Sequence, residues 1–153
     1  MKKVLIIGSV ASGKTTYAKR LSEQISVPWY ELDSIVHHKT STGRYKRTAE
    51  EQIKVLMDID KNGSWIFEGT DRESYQCLYS MADQIIFLDT PLWKRKFRIL
   101  NRFLKQKVGL EKSHYKPDFE MLKMMYKWTS DFESNRERFE TKLELYEGKV
   151  FRL

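Results

Sequence analysis

Apolar residues along this 153-residue chain come in two kinds of block. Val4-Leu5-Ile6-Ile7, Trp65-Ile66-Phe67, residues 85–88 and the terminal Val150-Phe151-Arg152-Leu153 are short runs, and residues 29–32 form a less pure one broken by Glu31. Runs this short and this continuous predict strands buried on both faces, as in a parallel sheet. Between them apolar residues recur at helical spacing: Tyr17, Ala18, Leu21 and Ile25; Ile53, Leu56 and Met57 within 48–61; Phe97, Leu100, Phe103 and Leu104. Beyond Asp118, a stripe of Met121, Met125, Trp128, Phe132, Phe139, Leu143 and Tyr146 falls at intervals of three, four or seven and reads as core.

Strands alternating with helices imply right-handed crossovers and a three-layer α/β domain with helices on both faces of the sheet. One domain over 1–153 is expected. The prolines punctuate it: Pro28 precedes the second strand, Pro91 opens a helix, and Pro117 precedes Asp118, an expected N-cap. Two stretches, 34–47 and 106–116, lack an apolar pattern and are where ligands and lids are expected in an open α/β sheet.

Composition narrows the setting. Cys77 is the only cysteine, which excludes an internal disulfide and a Cys-rich zinc cluster. No leader pattern and no membrane-length apolar run is visible, so a reducing cytoplasm, no membrane partner, and a monomer or homodimer are expected. A net charge of +7 favours polyanionic partners. Much of that excess lies in a run without acidic residues: Lys94, Arg95, Lys96, Arg98, Arg102, Lys105 and Lys107. It marks either a solvated helix face or a basic, lid-like segment over about 94–117.

Gly8-Ser9-Val10-Ala11-Ser12-Gly13-Lys14-Thr15 reads G-x-x-x-x-G-K-T, directly after the first strand and before the first helix. In that context the glycines let backbone N–H groups converge on phosphate oxygens at a helix N-terminus. Lys14 is placed to reach the β- and γ-phosphates, and the Thr15 hydroxyl to hold Mg²⁺. Nucleoside triphosphate binding is the expectation. No N-K-x-D follows a strand, which argues against a GTPase.

Phosphoryl transfer asks for positive charge around the transferring group and an acid near the metal or the acceptor. Asp33, Glu68 and Asp89 each sit at a predicted strand end. Asp33 is a candidate acceptor-orienting base or ligand to a Mg²⁺-bound water, with a turn cap as the alternative, and Glu68 is the second metal candidate. Asp89, before Thr90-Pro91, reads as a helix cap. Arg95, Arg98 and Arg102 share a helical face and are candidate phosphate clamps. Arg44, Arg47 and Arg72 are candidates on the acceptor side. His37-His38 lacks a third ligand at metal spacing, His114 stands alone, and Cys77 reads as a small buried residue.

With those segments quoted, the chain resembles the adenylate-kinase-like P-loop kinases that go by the name of DNA topology modulation proteins. The matching stretches are the first strand and phosphate loop, Glu31-Leu32-Asp33, Ser64-Trp65-Ile66-Phe67-Glu68-Gly69, Ala82-Asp83-Gln84-Ile85-Ile86-Phe87-Leu88-Asp89-Thr90-Pro91, and the arginines from Arg95 to Arg102. The resemblance implies a P-loop NTPase fold with five parallel strands in order 2-3-1-4-5 and a short lid. It also implies ATP at Gly8, Ser9, Val10, Ala11, Ser12, Gly13, Lys14, Thr15 and Thr16, lid arginines at Arg95, Arg98 and Arg102, and nucleotide-kinase-type chemistry. With Mg²⁺ as cofactor, the expected reaction is phosphoryl transfer to a small acceptor, a nucleotide or related metabolite, with Glu68 and Gly69 among the candidate acceptor-side residues. Val10-Ala11 stand where the family usually has Pro-Gly, and Glu68-Gly69 where it usually has Asp-Gly. The alternative reading is a P-loop nucleotide-binding regulator, or a nucleic-acid-binding protein using the basic run.

Overall fold

The computed structural model describes residues 2–110 and 118–153. Its centre is β1 (Lys3–Gly8), flanked by β5 (Trp65–Gly69) and β6 (Gln84–Leu88), with β2 (Trp29–Glu31) and β7 (Val150–Arg152) at the edges, all pairs parallel. Counted over the seven strands of the described residues, the order is 2-5-1-6-7. That numbering departs from the expected 2-3-1-4-5 because a separate antiparallel hairpin, β3 (His37–Thr40) and β4 (Gly43–Lys46), is inserted after β2.

Side chains of β1 alternate between two cores, as the two-residue period of a strand requires. Leu5 and Ile7 join Leu56, Trp65, Phe67, Tyr79, Phe87, Phe139 and Leu143. That cluster is built from α3 (Ala49–Asp60), α4 (Cys77–Met81) and α7 (Arg136–Glu144) on one face of the sheet. Val4 and Ile6 join Ala18, Val27, Ile66, Ile86 and Leu88, with α1 (Lys14–Ile25) covering the other face. This accounts for the near-continuous apolar runs: both sides of each central strand are buried. Helix α3 starts on a complete capping box, in which the Thr48 hydroxyl accepts from the Glu51 N–H and Glu51 reaches back to Thr48.

Several expectations change here. The stretch 34–47 contains α2 (Leu32–Val36) and the hairpin. Its strands read His-His-Lys-Thr and Gly-Arg-Tyr-Lys, with exposed β4 and half-exposed β3, so no apolar alternation marks them. The stripe beyond Asp118 splits into α6 (Phe119–Ser134) and α7 at Asn135. Asp118 caps α6 as expected, accepting from the Met121 N–H at 2.8 Å. Asp89 caps nothing: it accepts from Arg136 at 2.9 Å and Arg152 at 3.5 Å, tying α7 and β7 to the end of β6. Pro91 stands just before α5 (Leu92–Lys107) rather than inside it. His114, Pro117 and residues 111–117 of the expected lid lie outside the described residues.

Candidate active site

The loop between β1 and α1 is drawn tight by its own residues. A Cβ added at Gly8 would lie 2.6 Å from the Ser12 hydroxyl oxygen and 2.9 Å from the Leu88 carbonyl oxygen, so only glycine fits. Gly13 has φ 97°, a backbone that glycine adopts freely. Ala11 also has positive φ, 59°, and carries a Cβ there. Thr90 holds the loop from the end of β6, its hydroxyl donating to the Ser12 carbonyl at 2.8 Å. Arg98 donates to the Ala11 carbonyl at 3.1 Å. The hydroxyls of Ser9 and Ser12 are buried in this loop without a hydrogen-bond partner.

Lys14 is buried at the start of α1, with Nζ donating to the Ser9 carbonyl at 2.8 Å. Burial pushes its ammonium pKa down, and the nearby carboxylates of Glu68 and Asp33 oppose that shift. The Thr15 hydroxyl donates to Glu68 Oε1 at 2.7 Å across the sheet, from α1 to β5. Burial pushes the Glu68 carboxyl up, with Lys14 and the Thr15 hydrogen bond pulling the other way. Thr16 is exposed on the first turn of α1. An ammonium and a carboxylate held in low dielectric at the mouth of a glycine loop are poised for a ligand that brings its own charge.

Beside the loop opens a cleft of about 970 Å³, reached by Ser9 and Val10. One wall is Asp33 on α2 with His37 and Arg44 of the hairpin; the floor is Thr70, Asp71 and Arg72 beyond β5. Asp33 accepts from Arg72 at 3.0 Å. Gly69 makes this wall possible, because a Cβ there would meet that of Leu32 at 2.9 Å, and Leu32 precedes Asp33. Burial, then the charges of Arg44 and Arg72, lower the His37 pKa, so this cleft imidazole is neutral near pH 7. The opposite wall is Trp128 and Asp131 on α6 with Arg138 and Lys142 on α7.

The structure thus brings together the loop, Lys14, Thr15, Glu68, Asp33, Arg72 and Arg44. It places others differently. Arg47 donates to the Ile35 carbonyl at 2.9 Å and meets His38 Nδ1 at 2.9 Å, fixing the base of the hairpin. Arg95 is buried inside the fold, its Nε on the Thr90 carbonyl at 2.8 Å and its guanidinium paired with Glu133. It supports the loop through Thr90 instead of standing in a lid. Arg102 is exposed on α5, beside a small crevice under Ile99 and Phe103, and its charge is among those that act on Lys14.

Trp128, Arg138 and Lys142 line the cleft without having been singled out for it. Met125, Phe139 and Leu143 of the same stripe are core, while Trp128 is 42% exposed. The signal was present but ambiguous: a helix that forms the wall of a cleft carries the same spacing as one sealed in a core.

The three-layer α/β domain thus carries its glycine loop at the carboxyl end of the central strand, beside the cleft, the edge at which open α/β sheets hold ligands. Shikimate kinase from Bacteroides thetaiotaomicron superposes with a TM-score of 0.52 over 87% of this chain and 80% of that one, at 12% identity. The likeness shows the fold. A sugar kinase from Janibacter superposes at 0.48, with 19% identity over 85% of this chain and 95% of that one. In sequence, the chain is 28% identical to cytidylate kinase of Aeropyrum pernix over 108 residues, 64% of this chain and 63% of that protein. The alignment therefore spans less than two thirds of that relative. No protein-family profile matches the chain.

Proposed function

We propose that this chain is an ATP-dependent kinase, transferring the terminal phosphoryl group to a small acceptor, a nucleotide or related metabolite, held in the cleft beside the loop. The observation that carries this reading is the junction of β1, α1 and β5, where Lys14 is held on the carbonyl of Ser9, a residue that lines the cleft, and Thr15 on Glu68. Likeness to cytidylate kinase in sequence and to shikimate kinase in fold supports it. The finer resemblance, to the DNA topology modulation group, rests on the motifs quoted above.

In this reading the loop N–H groups from Gly8 to Thr16 cradle the ATP phosphates, with the unpartnered Ser9 and Ser12 hydroxyls as further donors. Lys14 neutralises charge on the transferring group, and Arg98 stands beside the same loop. Arg102 belongs to the same helix as Arg98, and Arg95 acts at one remove through Thr90. Asp33, flanked by Arg72, orients the acceptor hydroxyl or phosphate, with Arg44 supplying positive charge to the same wall.

The residues also fit Mg²⁺. Thr15 Oγ1 and Glu68 Oε1 form the hard oxygen pair that such a cation takes, with phosphate oxygens and water completing the shell. Among the described residues there is no group of three acidic, His or Cys side chains that would hold a metal by itself, in keeping with an ion that arrives with the nucleotide. When bound, Mg²⁺ supplies charge neutralisation at the β- and γ-phosphates.

Two members of the basic run are engaged within the fold and do not face a phosphodiester backbone: Arg95 is buried and Arg98 turns to the loop. The phosphate-transfer reading uses both. A screen of phosphate acceptors with Mg·ATP, scored as ADP release above an acceptor-free control, tests the proposal. At least one acceptor should stimulate release in the wild type and fail to do so in Lys14→Ala. Equal turnover in the two proteins would refute it.

A further inference from the structure

Helix α5 has two apolar faces, and among the described residues only one is packed into the fold. Arg95, Ile99 and Phe103 point inward. At about 100° per residue, Trp93, Phe97, Leu100 and Leu104 fall together on the far side, and Val108 continues the line beyond the helix end. This seam is open: Trp93 is 68% exposed, Phe97 66% and Leu104 54%. Phe119 of α6 is also exposed, its ring packed on Phe103 with Lys107 Nζ 5.8 Å from its centroid.

Lysines border the seam on both sides. The same helical geometry puts Lys96 and Lys107 along one edge and Lys94 and Lys105 along the other, all exposed. Lys94 Nζ rests over the Trp93 ring at 5.5 Å. No Asp or Glu occurs anywhere in α5.

We propose that the outer face of α5 docks on a membrane surface bearing anionic headgroups, with Trp93, Phe97, Leu100 and Leu104 entering the headgroup–acyl boundary and the bordering lysines meeting the headgroups. Charge decides between occupants. A second copy would lay one acid-free basic helix against another, setting like charges side by side. A protein partner would need an apolar groove with acidic groups along both margins. An anionic bilayer offers negative charge on every side of an inserted ridge. A helix with a Trp/Phe/Leu face rimmed by lysines is the pattern that lies in such an interface. No helix of the described residues is long and apolar enough to cross a membrane, so the contact is peripheral. The expectation of no membrane partner came from the absence of a spanning run, which does not bear on surface contact. The inference stands apart from the kinase reading and does not rest on it.

The test is co-sedimentation of the full chain with phosphatidylcholine vesicles and with vesicles of phosphatidylcholine mixed with phosphatidylglycerol. Binding is expected on the mixed vesicles, weak on pure phosphatidylcholine, and reduced by salt. The double variant Phe97→Ser/Leu104→Ser should lower the mixed-vesicle partition roughly tenfold. Both positions are exposed, and an unchanged melting temperature establishes that the fold survives. A second variant, Lys94→Glu/Lys105→Glu, should abolish the preference for phosphatidylglycerol. Absent vesicle binding, or binding unmoved by either variant, overturns the proposal. So does a dimer in sedimentation velocity that the apolar double variant dissolves, since the seam would then belong to a second copy.

Discussion

Removing the Glu133 side chain is expected to cost about 3 kcal/mol of stability at neutral pH. Arg95 is 1% exposed, and among the described residues its guanidinium has one carboxylate partner, Glu133, with Nε committed to the Thr90 carbonyl and one terminal nitrogen, NH1, buried without a partner. Glu133→Ala leaves that cation buried and uncompensated, a change worth roughly 3–5 kcal/mol when a buried pair is broken from one side. Glu133 itself is 29% exposed, so water can partly replace it, and the low end applies. With a urea dependence of about 2 kcal/mol per molar, the unfolding midpoint should fall by about 1.5 M. The pH dependence gives a second readout. Hydrogen bonds from Arg136 and then Arg95 hold the Glu133 carboxyl below its ordinary value of 4.5. A depressed folded-state pKa gives stability that is full above the unfolded value and lost as pH falls through the folded one. The gap between wild type and Glu133→Ala should therefore be widest near neutrality and narrow progressively below pH 4.5. A midpoint shift equivalent to less than about 1 kcal/mol at neutral pH, or a gap that widens in acid, would show that Glu133 does not compensate the buried Arg95 cation.

Ala11→Gly should raise stability by about 0.5–1 kcal/mol, because the left-handed backbone at φ 59° no longer carries a Cβ; a lower melting temperature would contradict this. Gly8→Ala should do the reverse to function, abolishing nucleotide binding in calorimetry because the new Cβ displaces Ser12 and the loop with it. Trp128→Ala should raise the KM for the acceptor several-fold while leaving that for ATP unchanged, since Trp128 lines the cleft wall away from the loop. A change confined to ATP would place Trp128 on the wrong substrate.

The parts of this fold that can be read in advance are those where one physical requirement leaves one pattern. Strands buried on both faces must be apolar throughout, so β1, β5 and β6 stand out. A phosphate loop needs Gly8 for close approach and Gly13 for positive φ, and both are fixed in the motif. Asp118 announces its helix by side-chain chemistry alone, whereas the capping box at Thr48 emerges only in the structure. The hairpin 37–46 gives no such notice, because its strands lie on the surface and have no core face to pattern. Arg95 and Arg98 have the same residue type and helical spacing, yet one lies in the core on Glu133 and the other on the loop. Which one turns inward depends on Glu133, 38 residues away, and no local pattern encodes that partnership. Asp89 is similar: its strand-end position fits a cap, while its actual partners, Arg136 and Arg152, come from α7 and β7.

Central to the whole account is a polyphosphate seated on the β1–α1 loop with its charge met by Lys14. Titration calorimetry of the wild type and Lys14→Ala with a non-hydrolysable ATP mimic, with and without Mg²⁺, measures that directly. Saturable heat is expected for the wild type, strengthened by Mg²⁺, and its loss in Lys14→Ala with the melting temperature retained. A wild-type protein that gives no heat, or a Lys14→Ala protein that binds equally well, would contradict it.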